Sequence, residues 1–381
     1  MTSKTLTMLG VGDLGFMGAE SEAHWSTVSP TLKAADVVIG QVEQISTTRP
    51  TWTYLLESMV LPPPRDPDCM RGLPLAGFNV ITLAGNHVWD VGANGIEDTC
   101  HWLRNHGISV LGAGMTLDEA KRPVIIEHNG IKLGILDYNC TGPRDAWALK
   151  TKPGCAYVRI ITHYELDYAV PGGTPDVFTW AEPSTLEAMQ DDVRRLRPDC
   201  DVLVVALHKG LIHTPVKLAQ YERPVCHAAI DAGADLILGH HHHILRGIEL
   251  YKGKAIFHGL CNFGAYVQIN KSLTPQPSAD PRSWAFRRRE LFNFMPDPEY
   301  PTYPFHPEAK YTIIAKCIIG GGKISRVSYL PCLINKNGQT EILGNDKRGQ
   351  QVFDYMDKIT RAEGLNVQYE WEGDEVVIRA E

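Results

Sequence analysis

ADLILGHHHHILRG, residues 234–247, sets the terms for the whole chain. An apolar run of strand type, Leu236–Leu238, stops at Gly239 and gives way to four histidines, His240–His243. Purification tags sit at termini, and this run lies well inside the sequence, so it belongs to the fold. A short apolar run that ends abruptly in polar residues is the pattern of a buried strand delivering side chains at its end.

Working outward, the same design recurs along the chain. LTMLGVGD (6–13), AADVVIGQVE (34–43), FNVITLAGNH (78–87), IKLGILDYN (131–139), DVLVVALHKG (201–210) and GKAIFHGLCNF (253–263) each couple a strand-like run to polar residues. Helix-like segments stand between them. GIEDTCHWLRNHG ends at Gly107, and YERPVCHAAIDAGA is another. STLEAMQDDVRRLRP reads with Ser184 as N-cap, Glu187 three residues on, and Pro198 as the stop. Strands alternating with helices predict an α/β fold, with its site at the strand ends.

The chain has 381 residues, with 44% hydrophobic and 21% charged, which describes a soluble globular protein with ample core. A net charge of -7 argues against a general nucleic-acid binder and leaves small solutes or proteins as partners. The nine cysteines include no C-x-x-C pair and read as reduced, mostly buried thiols. The opening MTSKTLTMLGVGD has no apolar signal-peptide core, and no run reaches membrane-spanning length. The expectation is a cytoplasmic protein with no membrane or nucleic-acid partner; a homodimer is compatible with the sequence.

Residues 46–75, with a triple proline, read as a lid-like insertion around a short helix; further insertions are expected near 140–183 and 268–310. KYTIIAKCIIGGGKISRVSYLPCLI (310–334) predicts a β-hairpin and QQVFDYMDKITRAEG (350–364) a helix. One catalytic domain over 1–345 is expected, with the helix and tail of 346–381 packed on it.

The polar strand ends collect Asp13, Glu43, Asn86, His87, His208 and the histidine run. Imidazole, carboxylate and amide oxygen together suit Zn, Mn, Fe or Co, and a carboxylate able to bridge suits a dinuclear hydrolytic centre. No phosphate loop, dinucleotide fingerprint or serine elbow competes with that reading.

GVGDLGFMG, ADVVIGQVE, ITLAGNHVWDVG, VVALHKG, AGADLILGHHHHILRGIE and KAIFHGLCNF, between Leu6 and Gly264, together resemble the CapA family of bacterial poly-γ-glutamate capsule proteins, within the metallophosphoesterase-like, or calcineurin-like, superfamily. The resemblance implies a four-layer α/β/β/α sandwich with a small C-terminal hairpin and helix extension. It implies two divalent ions, Mn or Zn first with Fe or Co as alternatives, held by Asp13, Glu43, Asn86, His208, His241 and His243. The His usual two residues after Asp13 is replaced by Gly15, and Gln41 stands in the sequence before Glu43.

His87 is then the residue serving the leaving group, with Asp90 orienting its ring; an N-cap or solvated turn is the alternative for Asp90. Within the histidine run, His-x-His fits either His240 with His242 or His241 with His243. The family's Gly-His-His-Pro-His matches the second, with His242 in place of proline. His240 and His242 are then behind the ligands, facing substrate or serving structure. After His208 the family reads Trp-Gly, whereas HKGLIH brings Lys209 and His213 towards the site. Lys209, His213, Arg246 and His258 are expected to bind substrate, and Asn262 to support the pocket floor; an ordinary surface cation is the alternative for Arg246. RRRE (287–290) reads as a solvated helix face, with an anion clamp as the alternative.

The expected function is metal-dependent hydrolysis of an amide or ester bond in a small carboxylate-bearing, γ-glutamyl-like substrate. Phosphomonoester or phosphodiester hydrolysis is the first alternative, and a non-catalytic role in polymer biosynthesis the second.

Overall fold

In a computed structural model of the protein, the described residues are 5–15, 22–51, 53, 65–166, 175–265 and 289–380. The chain begins with β1 (Thr5–Leu14), β2 (Val37–Val42), β3 (Val80–Thr82) and β4 (Ser109–Leu111), which lie side by side and parallel. After the short β5 (Ala113–Gly114), the hairpin β6 (Val124–His128) and β7 (Ile131–Asn139) starts a second sheet. β8 (Gly154–Cys155) pairs with β5, and β9 (Ile160–Glu165) with β10 (Asp176–Ala181), as separate ribbons. β11 (Val202–His208), β12 (Leu236–His240), β13 (Ile248–Tyr251) and β14 (Lys254–Phe257) then complete the second sheet, in the order β13-β14-β12-β11-β7-β6.

The chain returns to the first sheet at its end. β15 (Tyr311–Gly320) and β16 (Lys323–Ile334) form the expected hairpin, and β15 pairs antiparallel with β1. This hairpin is therefore no extension; it is the centre of a nine-stranded sheet. β17 (Thr340–Ile342), β18 (Val367–Glu372) and β19 (Glu375–Ala380) finish that sheet.

Alternation along the strands builds the layers. Leu6 and Met8 of β1 share a core with Leu133 and Ile135 of β7, Val202 and Val204 of β11, and Leu236 and Leu238 of β12. That core lies between the sheets. The intervening residues Leu9, Val11, Val38 and Ile81 face Leu73, Ile96 and Leu103 of helices on the outer side of the first sheet. Leu203, Val205, Leu207 and Ile237 face Met189, Val193, Val225 and Ala229 on the outer side of the second. Strands covered on both faces explain the near-continuous apolar runs, and each buried Val or Leu contributes roughly 1.5–3 kcal/mol. The arrangement is α/β with four layers, helices outside and two sheets within.

The helices form largely where expected: Ala93–Asn105, Pro183–Leu196, Glu222–Ala232 and Lys347–Ala362. The N-cap of Pro183–Leu196 is Glu182 rather than Ser184, because its carboxylate reaches the Ser184 and Thr185 amides at 3.3 and 3.0 Å. Val352, Tyr355, Met356 and Ile359 of the last helix belong to the inter-sheet cluster. Residues 52, 54–64, 167–174 and 266–288 lie outside the described residues, and with them most of the expected lid, the tip of the second insertion, and Arg287 and Arg288. Arg289 pairs with Glu290 at an exposed position. Among the described residues, no helix is long and apolar enough to cross a membrane.

Candidate metal centre

The parallel strands of both sheets end at one place, and their last residues meet there. Asp13 lies near the end of β1, Glu43 just past β2, and Asn86 and His87 in the turn after β3. From the second sheet come His208, the last residue of β11, and the run that begins at His240, the last residue of β12. Gly12 permits the approach of β1 to the facing chain, since a Cβ there would lie 2.1 Å from the Cys261 carbonyl oxygen.

Two groups of donors form around Glu43. Ligand atoms of Glu43, His208 and His241 all lie within 4.8 Å of one another, as do those of Asp13, Glu43 and His243. Asn86 joins the first group, its Oδ1 being 2.7 Å from His208 Nε2. Asn262 supports the second: its Oδ1 is 2.7 Å from His243 Nδ1, while its amide donates to Tyr303 Oη at 2.7 Å.

The loop beyond β12 sorts the four histidines. His241 and His243 have φ of 89° and 52°, in the left-handed region that non-glycine residues rarely occupy. Their side chains turn to Glu43, and Asp13 Oδ2 accepts the His241 amide at 2.9 Å. His240 Nε2 meets the Val11 carbonyl oxygen at 3.1 Å, and His242 Nε2 meets Glu222 Oε2 at 2.8 Å. The sorting follows from a strained turn, not from the alternation of a regular strand.

Electrostatics mark the centre as incomplete. Asp13 Oδ1, both Glu43 carboxylate oxygens, His208 Nδ1 and His241 Nδ1 are buried with no hydrogen-bond partner among the described residues. Burial pushes the Glu43 carboxyl up to about 7, against the pull of His87. Asp13 is raised by burial and then by Glu43. Burial and neighbouring imidazoles hold His208 and His241 well below the usual histidine range, as neutral rings. Neutral imidazoles and unanswered carboxylate oxygens around one shared carboxylate are a donor set that fits two divalent cations.

His87 stands at the rim of this set. Its Nδ1 is 2.6 Å from Asp90 Oδ2, and its Nε2 is 3.7 Å from Glu43 Oε1. Asp90 thus orients the ring. His213 is buried beside the centre with φ of 53°, its ring 5.5 Å from that of His243 and in contact with Phe292, Phe294 and Phe305.

The other residues expected to bind substrate point elsewhere. Lys209 is fully buried, and its Nζ donates to Glu222 at 2.8 Å and to the His258 carbonyl at 3.0 Å. His258 is buried with Nε2 at 3.0 Å from Glu249. Arg246 is likewise buried and gives Nη2 to the Leu211 carbonyl at 2.7 Å; burial pushes its guanidinium down to about 10. Glu222 answers the charge of Lys209, so that lysine is no anion clamp; Arg246 is enclosed in the interior, where its Nε and Nη1 have no hydrogen-bond partner among the described residues. Gln41 is no ligand either, since its Oε1 accepts from Thr82 Oγ1 at 2.6 Å.

Sequence reasoning misses Asp137. Its Oδ2 accepts the Leu83 and Ala84 amides at 3.0 and 2.8 Å, holding the turn that presents Asn86 and His87. A carboxylate near the end of IKLGILDYN is the same signal that marks Asp13. Glu222 escapes it too: at the start of a helix it resembles any first-turn acid.

The sequence model described as bacterial capsule synthesis protein PGA_cap matches residues 9–266. The chain belongs to that family. Among its curated relatives, the capsule biosynthesis protein CapA of Bacillus anthracis is 27% identical over 270 residues, covering 68% of this chain and 60% of that one. The PGA biosynthesis protein CapA of Bacillus subtilis is 28% identical over 247 residues, covering 65% and 57%. The chain therefore spans less than two thirds of the length of these family members. Among solved structures, a hypothetical protein from Thermus thermophilus aligns at 16% identity with a TM-score of 0.46, covering 86% of this chain and 98% of that one. The calcineurin-like phosphoesterase YfkN of Bacillus subtilis aligns at 12% identity with a TM-score of 0.39, covering 95% and 98%.

Proposed function

We propose that this chain is a metal-dependent hydrolase whose centre holds two divalent ions, manganese or zinc, and acts on a small anionic substrate. One observation carries the reading: two groups of donors share Glu43, and both of its oxygens are buried with no hydrogen-bond partner among the described residues. Asp13, Glu43 and His243 would hold one ion, and Glu43, Asn86, His208 and His241 the other. When bound, such ions supply Lewis acidity and lower the pKa of water.

The protein groups divide the remaining work. His87, with Nδ1 fixed by Asp90, presents Nε2 to the site and can hold a proton there for the leaving group. Asp90 stabilises the ring when it is charged. Asn262 sets the orientation of His243. Burial around Glu43 and His208 keeps bulk water from competing.

Relatives named for PGA biosynthesis support an amide or ester of γ-glutamyl type as the substrate. Phosphoester hydrolysis is the second reading, favoured by a shared-carboxylate donor set whose ions would polarise a phosphoryl oxygen as readily as a carbonyl. The test is metal analysis with product analysis on a γ-glutamyl anilide and a chromogenic phosphodiester, with Mn or Zn added. About two ions per chain and cleavage lost in His208→Ala are expected. Fewer than one ion, with no rate change in His208→Ala, would overturn the hydrolase reading. Robust phosphodiester turnover without amide cleavage would select the second reading.

A further inference from the structure

Glu222 lies at the first position of the helix Glu222–Ala232, and its side chain is wholly buried. Both of its oxygens are engaged. Oε1 accepts the Ala219 amide at 2.7 Å, which ties the carboxylate to the turn leading into its helix. Oε2 accepts Lys209 Nζ at 2.8 Å and faces His242 Nε2 at 2.8 Å. These two partners occupy special places. Lys209 follows His208 directly, and His242 stands between His241 and His243.

The loop that carries His242 needs an anchor. It lies beyond the last residue of β12, and its two flanking histidines occupy the left-handed region. Such a turn persists only where its surroundings over-determine it. The backbone supplies two ties, Asp13 to the His241 amide and the His213 amide to the His242 carbonyl at 2.8 Å. The Glu222–His242 contact is the tie made by the loop's central side chain. Gly210 clears the way for it: a Cβ there would lie 2.0 Å from His242 Nε2 and 2.7 Å from Glu222 Oε2.

We propose that Glu222 is the positioning residue of the metal centre. Through Lys209 and His242, one carboxylate fixes the separation between the His208 strand end and the His241–His243 loop. Ligands of both donor groups are thereby set from a single buried point. Glu222 touches neither ion nor substrate; it acts through the backbone on either side of its partners. The inference rests on the metal reading above.

The test pairs Glu222→Gln with Lys209→Met, so that no buried ammonium is left without its counter-charge. Manganese binding is followed by calorimetry, the metal-free melting temperature by circular dichroism, and the metal–metal spacing by low-temperature paramagnetic resonance. The double variant is expected to melt within a few degrees of the wild type when metal-free. Both manganese affinities should fall roughly 10- to 100-fold, the usual consequence of losing a ligand's support. The exchange-coupled spectrum of the loaded wild type should give way to that of separate ions.

His242→Leu leaves the Lys209–Glu222 pair in place and cuts only the tie to the loop, so it decides the matter if the double variant does not fold. It should show the same loss of affinity. Affinities within twofold of wild type in either folded variant would overturn the positioning role and leave the metal reading intact. A wild type that takes up no manganese would overturn both.

Discussion

Two clusters of buried polar groups lie within a few residues of each other; both combine carboxylates with imidazoles, and the second adds a lysine. Asp13, Glu43, His208, His241 and His243 form one; Lys209, Glu222, His242, His258 and Glu249 form the other. All are buried or nearly so. In the second, the charged groups are answered from within: Glu222 serves Lys209 and His242, and Glu249 serves His258, Arg223 and His227. In the first, both oxygens of Glu43 and one of Asp13 have no hydrogen-bond partner among the described residues. Satisfaction of the carboxylates, rather than burial, separates the two clusters.

The contrast shows in protonation. Burial alone would raise the Glu222 carboxyl, but Lys209 and then His242 hold it well below the usual range. Burial wins at Glu43. The two carboxylates should therefore give stability opposite slopes with pH. Glu222, with its folded pKa depressed, contributes above the unfolded value near 4.5, and that contribution is lost as pH falls towards the folded value. Glu43, with its folded pKa raised, costs nothing below about pH 4.5 and costs progressively more as pH rises to about 7.

The largest expected effect breaks the satisfied cluster. Glu222→Ala alone should lower the stability of the metal-free protein by about 3–5 kcal/mol at pH 7, because Lys209 is left buried without a counter-charge; denaturant melts would measure it. A loss under about 1 kcal/mol would mean that the brace is not one. Next in size, and opposite in sign, Glu43→Gln should stabilise the metal-free protein by up to about 3 kcal/mol at about pH 8. That gain should vanish at about pH 4.5. A destabilised Glu43→Gln protein at the higher pH would show that Glu43 is satisfied after all.

A smaller effect sharpens the first cluster. Asn262→Ala should weaken manganese binding roughly tenfold or more by freeing the His243 ring, while leaving Glu222-dependent stability unchanged in a combined variant. The smallest lies outside both. Asp346 caps the helix Lys347–Ala362 through the Arg348 and Gly349 amides at 2.8 and 2.9 Å. Asp346→Ala should cost about 1 kcal/mol and add independently to every substitution above. Non-additivity would couple the C-terminal helix to the site.

Much of this architecture is legible in local sequence. Strand runs such as DVLVVALH announce both buried faces, and the residues that end them are the ones that meet at the centre. What is illegible depends on partners distant in the chain. Lys209 looks like a cation for a ligand until Glu222 is placed beside it, and Arg246 until the interior and the Leu211 carbonyl close around it. Glu222 looks like a routine first-turn acid. The hairpin of 311–334 is plain as a hairpin, yet nothing local reveals that its neighbour is β1. Ser184 satisfies the N-cap pattern, yet the helix starts at Pro183, and Glu182, two residues before Ser184, caps it through the Ser184 and Thr185 amides.

The pairing of β1 with β15, which sets Thr5 opposite Gly320, has a consequence for how this protein is made. The strand β1 lies in the middle of the larger sheet, and its antiparallel neighbour is translated some three hundred residues after it. The stretch matched to the family ends at residue 266, before that neighbour begins. A nascent chain can therefore contain every candidate ligand while a central strand still presents a bare edge. The sheet closes late, and until then that edge is open to pairing with another chain.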